Sequence, residues 1–154
     1  VFSKKLYNNE RKDYYMAKRK LTDRLIDKKD IKEEMRLIKG SLTDYITPSG
    51  EIYKDYGNNK FFHKAQWATW GYWYCGITYP EGQRQRRVHI LVAEAYVPNP
   101  NNLPIVMHLD NNKQNKHYTN LKWGTVSENA KDAYDSLMAK NDKGWEDSQS
   151  IHVC

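Results

Sequence analysis

The sequence predicts an α+β fold, and three observations carry that expectation. Near the amino end runs a long segment with helical spacing. A group of short aromatic and β-branched stretches follows, cut by Gly, Pro and Asn. Towards the carboxyl end, a strand, a polar turn and a second strand lead into a helix. The 154 residues suffice for one ordinary domain, or for a compact domain with an appendage.

From Tyr14 to Ile38 the text YYMAKRKLTDRLIDKKDIKEEMRLI places apolar residues at Leu21, Leu25, Ile26, Ile31, Met35 and Ile38. Spacings of three to five, with no Gly or Pro, predict one amphipathic helix or a kinked pair, stopped near Gly40. Residues 1–40 hold thirteen Lys/Arg against seven Asp/Glu, so the whole formal net charge of +6 sits there. Such asymmetry points to an arm for an anionic partner, with Lys18, Arg19, Lys20 and Arg24 as candidate phosphate contacts. The other reading is a charged face that serves only solubility.

Next, LTDYITPSGEIYKDYGNNKFF predicts a hairpin or small antiparallel sheet. WGYWYCGITYP continues the strand composition, and most of its rings are expected to form the core rather than a base-stacking platform. Arg84, Arg86 and Arg87 form a second basic patch, either meeting phosphates at the rim of a site or lying in a solvated turn. VHILVAEAYVPNP predicts a short apolar helix ended by Pro98 and Pro100. LPIVMHLDNNKQN reads as a strand ending at His108, with a turn through Asp110, Asn111 and Asn112, and NLKW as the return strand. GTVSENAKDAYDSLMA reads as a helix with Ser127 as a candidate cap. The expected division is a basic helical appendage over 1–41, a compact mixed domain over 42–139 and a polar tail over 140–154.

Cys75 and Cys154 are far apart and have no zinc-like spacing, so both thiols are expected to be free in a reducing interior. With no run of eighteen apolar residues and no apolar leader, the chain is expected to be soluble and intracellular, without a membrane partner.

The strand, turn, strand and helix can bring His108 and Asn129 together, and phosphodiester chemistry gives that meeting a use. A neutral imidazole takes a proton from water, while a divalent ion stabilises charge on the phosphate and leaving oxygen. His108 suits the first task, and Asn129 offers a hard oxygen for the second. VHILVAEAYVPNP, VMHLDNNKQNKHYTNLKW and VSENAKDAY together resemble the HNH endonuclease family, in its phage and intron-associated homing branch. The resemblance covers roughly residues 45–135 and implies a ββα metal (His-Me) finger with an additional small antiparallel sheet.

By that resemblance His108 is the general base, Asn120 fixes the hairpin and orients the histidine, and Asn129 is the helix metal ligand. The family commonly carries Asp or Asn immediately before the histidine, whereas this chain has Met107, a soft thioether that cannot replace a carboxylate for Mg²⁺. Asp110 is the candidate compensating ligand, or else it shapes the turn. His89 either supports the active centre or is a packed structural residue, His117 is expected at the surface, and His63 and His152 are expected to be noncatalytic.

The implied function is a metal-dependent endonuclease of double-stranded DNA, a nicking or homing-type enzyme using Mg²⁺, Mn²⁺ or another divalent ion. It would act as a monomer if a nickase or as a homodimer, in the host cytoplasm if phage-encoded. The alternatives are a catalytically weakened or inactive DNA-binding protein on the same scaffold, and RNA binding through the Tyr/Trp-rich sheet.

Overall fold

The computed structural model describes the backbone of residues 21–152 and the side chains of residues 21–140. Aliphatic residues on several short elements converge first. Ile38, Ile46, Ile52, Ile77, Val88, Leu91 and Val92, at 0 to 2% exposure, cluster with Cys75, Ala93 and Leu121. The elements are arranged so that each contributes one apolar face to this cluster.

Five strands form one antiparallel sheet: β1 (Leu25–Asp27), β2 (Arg36–Leu37), β3 (Asp44–Ile46), β4 (Ile52–Asp55) and β5 (Lys60–His63), in the order β1-β5-β4-β3-β2. A second sheet holds β6 (Trp67–Thr69), β7 (Tyr72–Tyr79) and β8 (Gly82–Arg87), in the order β6-β7-β8. Helix α1 (Val88–Tyr96) follows β8 directly and packs on β7. A two-stranded ribbon of β9 (Ile105–His108) and β10 (Leu121–Gly124) then leads into α2 (Val126–His152), completing the expected ββα unit beside the additional sheets.

The expected amino-terminal helix is corrected by the structure. Residues 14–20 lie outside the described part, Leu21 and Thr22 are helical, and the chain then turns into β1. Leu25 and Ile26 pair with Phe62 and Phe61, and Lys60 pairs with Asp27 at 2.5 Å. The apolar residues that looked like a helical stripe instead find partners across a sheet edge, and tertiary pairing outweighs local spacing. Ile38 reaches the main core from the loop after β2.

The aromatic expectation is corrected as well. The fully buried cluster is aliphatic, and Trp73, Tyr79, Tyr96 and Trp123 pack around its margin while partly exposed. Trp70 is 87% exposed at the β6–β7 turn. Tyr and Trp carry a polar atom that asks for a partner, which favours the rim: Tyr96 donates to the Ile46 carbonyl at 2.5 Å and Trp123 to the Val97 carbonyl at 3.0 Å.

A buried ion pair on the five-stranded sheet reaches the second sheet through hydrogen bonds to β7. Lys64 on the loop after β5 meets the fully buried Asp44 at 2.9 Å and also donates to the Gly76 carbonyl. Asp44 accepts a second bond from the Thr78 backbone at 2.7 Å. With several donors around it, the buried carboxylate is compensated rather than stranded.

Candidate active site

The β9–β10 register decides which side chains share a face. His108 pairs with Leu121 and Val106 with Trp123, while Met107 pairs with Lys122. Leu121 belongs to the core, and Val106 and Trp123 pack against it, so His108 points to the side where α1 lies. Met107 occupies the other face. A Cβ added to Gly124 would stand 2.6 Å from the Met107 sulfur and 3.2 Å from a carboxylate oxygen of Glu128 on the first turn of α2. Position 107, where the resemblance asks for an oxygen ligand, therefore faces the helix that carries Asn129, and there the chain places a thioether at 7% exposure.

His108 meets His89 of α1, with ring centroids 4.7 Å apart. Tyr72 stacks on His89 at 5.1 Å and lies 6.1 Å from His108. Two cations cover the Tyr72 ring, the Arg87 guanidinium at 4.8 Å and the Lys113 ammonium at 4.9 Å. Burial lowers the His108 pKa, with Asp110 acting to raise it and Lys113 to lower it. Burial, the neighbouring His108 and Arg87 push the His89 pKa down to about 3. Both imidazoles are thus neutral near pH 7, the state a proton acceptor needs. His108 Nε2 and His89 Nδ1 are sealed from solvent and have no hydrogen-bond partner among the described residues.

Asn120, 8% exposed, closes the loop beneath His108. Its side-chain oxygen accepts from the Asp110 backbone at 3.1 Å, and its amide donates to the Asp110 carboxylate and the Asn115 carbonyl, each at 2.9 Å. The Leu109 backbone donates to the Asn120 carbonyl at 2.8 Å. Asp110 lies in a turn, its carboxylate also accepting from the Asn112 backbone at 2.8 Å and the Asn115 side chain at 2.9 Å. These bonds, the Asn115 side chain first, lower its pKa.

The loop is fastened to β7. Trp73 donates to the Gln114 carbonyl at 3.1 Å, and the Lys116 ammonium lies 4.9 Å over the Trp73 ring. His117 is half-buried and accepts from the Thr119 backbone at 3.3 Å, so it caps a short 3-10 turn. His63 pairs with Glu51 at 2.6 Å, remote from the histidine pair in sequence and in contacts.

Helix α2 packs against β9. Its cap is Thr125, not Ser127: the Thr125 hydroxyl accepts from the Glu128 backbone at 3.1 Å. The Thr-x-x-Glu spacing is a capping pattern, and it could have been read from the text TVSE. The Asn129 backbone closes the first helical turn onto the Thr125 carbonyl at 3.1 Å, with its side chain exposed.

The basic residues separate by strand alternation. Arg86 donates to the Tyr79 hydroxyl at 2.6 Å and pairs with Glu94 at 3.3 Å, and Arg84 pairs with Glu81 at 3.1 Å. Arg87 points the other way, donating to the Tyr74 hydroxyl at 3.0 Å beside the histidine pair. Arg24 is exposed in the turn before β1, while Lys18, Arg19 and Lys20 lie outside the described residues. The sequence alone decides neither the role of His89 nor the oxygen that Glu128 offers beside Asn129. The first needed the spatial meeting of α1 with β9, and the second was signalled by its place directly before Asn129.

Residues 86–131 match the family model described as HNH endonuclease. An uncharacterized HNH endonuclease, L245, of Acanthamoeba polyphaga mimivirus is 39% identical over 84 residues, covering 54% of this chain and 25% of that protein. The chain therefore spans about a quarter of that relative's length. A solved structure of the HNH homing endonuclease I-HmuI, concerned with its DNA binding and cleavage, is similar with a TM-score of 0.56 and 26% identity, covering 67% of this chain and 59% of that one.

Proposed function

We propose that the ββα unit of this chain is that of an HNH endonuclease, as its similarity to that family supports, and that the protein hydrolyses phosphodiester bonds of double-stranded DNA with His108 as the general base. The observation that carries this reading is a neutral, half-buried histidine at the end of β9, backed by α1 and held over a loop closed by Asn120. The similar solved structure, that of I-HmuI, is of an enzyme that binds and cleaves DNA, which supports the same substrate here.

Because Nε2 of His108 is sealed, Nδ1 is the nitrogen that would face water. It would take a proton as the water oxygen attacks phosphorus. The P–O bond on the far side then breaks, and the leaving oxygen, protonated from solvent, becomes a 3′-hydroxyl. Asn120 holds the backbone that carries His108. Arg87, Lys113 and, from the amino-terminal segment, Lys18, Arg19, Lys20 and Arg24 would meet phosphates.

For a divalent ion the donor set offers oxygens only in part. Among the described residues there is no cluster of three His, Cys, Asp or Glu, so a cage made by protein alone is lacking. Mg²⁺ commonly takes one or two protein oxygens and fills its octahedron with water and substrate phosphate, and that demand fits Asn129 with Glu128 beside it. Asp110 remains a further oxygen donor in this proposal, although its main task is to hold the loop. When bound with phosphate, Mg²⁺ or Mn²⁺ would stabilise charge on the leaving oxygen.

The second reading, a DNA-binding protein without cleavage, is favoured by one observation, the buried thioether at position 107. A supercoiled plasmid assay across Mg²⁺, Mn²⁺ and other divalent ions, with EDTA as control, separates the two. Metal-dependent nicking or linearisation is expected. Duplex binding without a cut under any ion would sink the nuclease reading.

A further inference from the structure

Building on the assignment of His108 as base, we propose that His89 is its positioning residue: His108 Nε2–H donates to His89 Nδ1, which leaves the lone pair of His108 Nδ1 free for water. The buried face of helix α1 is otherwise aliphatic, with Val88, Leu91, Val92 and Ala93 all in the core. A polar ring at 4% exposure in that row calls for a partner. The atoms without one are His89 Nδ1 and His108 Nε2, on two rings whose centroids are 4.7 Å apart. The ring planes differ by 46°, and the proposed bond would form on a turn about the broad terminal torsion of either histidine. One bond then satisfies both sealed nitrogens.

The surroundings select the direction of this bond. The Arg87 guanidinium and His108 both disfavour a charged His89 and keep it a neutral acceptor. Tyr72, stacked on His89 and itself covered by Arg87 and Lys113, holds the acceptor ring in place. A histidine thus does here what a carboxylate or carbonyl does elsewhere, fixing the tautomer of a reactive imidazole.

The test is made on the full chain labelled with ¹⁵N. A through-hydrogen-bond coupling between His108 Nε2 and His89 Nδ1, with the bridging proton protected from water, is expected in the wild type. Its absence, with a rapidly exchanging His108 Nε2 proton, would overturn the proposal whatever the variants do. His89→Leu and His89→Asn both remove the ring and have similar size, and Asn alone restores an acceptor near the Nδ1 position. The Leu variant is expected to lose about 10- to 100-fold in kcat with KM little changed, and the Asn variant to recover most of it. Equal losses in both folded variants would mean that His89 only fills space. Cleavage surviving in His108→Ala would remove the base assignment while leaving the coupling intact, so the two failures are distinguishable.

Discussion

At His108 the balance of burial and nearby charge sets the pH at which the site works. Burial is the largest influence and lowers the pKa below the ordinary 6.5, while Asp110 opposes it and Lys113 assists. A base acts in its neutral form, so kcat/KM should rise with pH through a midpoint below 6.5 and level off above it. Asp110→Asn removes the charge that favours imidazolium and should move the midpoint lower, while Lys113→Ala should move it higher. A midpoint that both variants leave in place would show that another group governs the limb. His89 adds a consequence for stability. Its folded pKa, about 3, lies below the value of 6.5 that it regains on unfolding, so the unfolded chain binds more protons between them. Stability should be full above 6.5 and fall as pH drops through that window, an effect that a melting series would show and that His89→Asn would diminish.

The hairpin and α2 meet at Gly124, where an added side chain would have to displace those of Met107 and Glu128. A Cβ there would stand 2.6 Å from the Met107 sulfur, closer than such contacts come. Gly124→Ala should therefore cost about 1 to 3 kcal/mol in denaturant unfolding, and Met107→Ala in the same chain should return part of it. Additive losses would mean that the two positions do not touch. This contact was not legible in the sequence, because it depends on the register of β9 against β10. The elements themselves were legible where two signals agreed: VHILVAEAY was followed by two prolines, and LPIVMH and NLKW flanked a turn-rich loop. The segment after Thr22 had helical spacing but also β-branched Ile26 and Ile31, and what decided it was the presence of Phe61 and Phe62 on a neighbouring strand. Nothing local announces a partner more than thirty residues away.

Across the whole molecule, charge does two different jobs. Arg84 and Arg86 are engaged with Glu81, Glu94 and Tyr79 on one face, while Arg87 stands beside the histidine pair on the other. The text RQRR could not separate them without the strand that alternates their directions. Arg87→Ala should weaken duplex binding and make its log–log salt slope shallower by about 0.9, the loss of one phosphate contact, whereas Arg84→Ala should leave the slope unchanged. An unchanged slope in Arg87→Ala would place the DNA elsewhere. Asn120 was tied to His108 only by the family resemblance, since the residues themselves show no more than two strands around a loop rich in turn formers. His89 was left undecided because its meaning comes from the packing of α1 on the ribbon.

The proton acceptor at the end of β9 is the centre of the proposed chemistry. Single-turnover cleavage of a duplex by His108→Ala, with duplex binding and thermal melting measured on the same preparation, tests it most directly. The expected result is a folded protein that binds DNA about as the parent does and has lost metal-dependent cleavage by about 100-fold or more. Cleavage at the parental rate by that variant would contradict it.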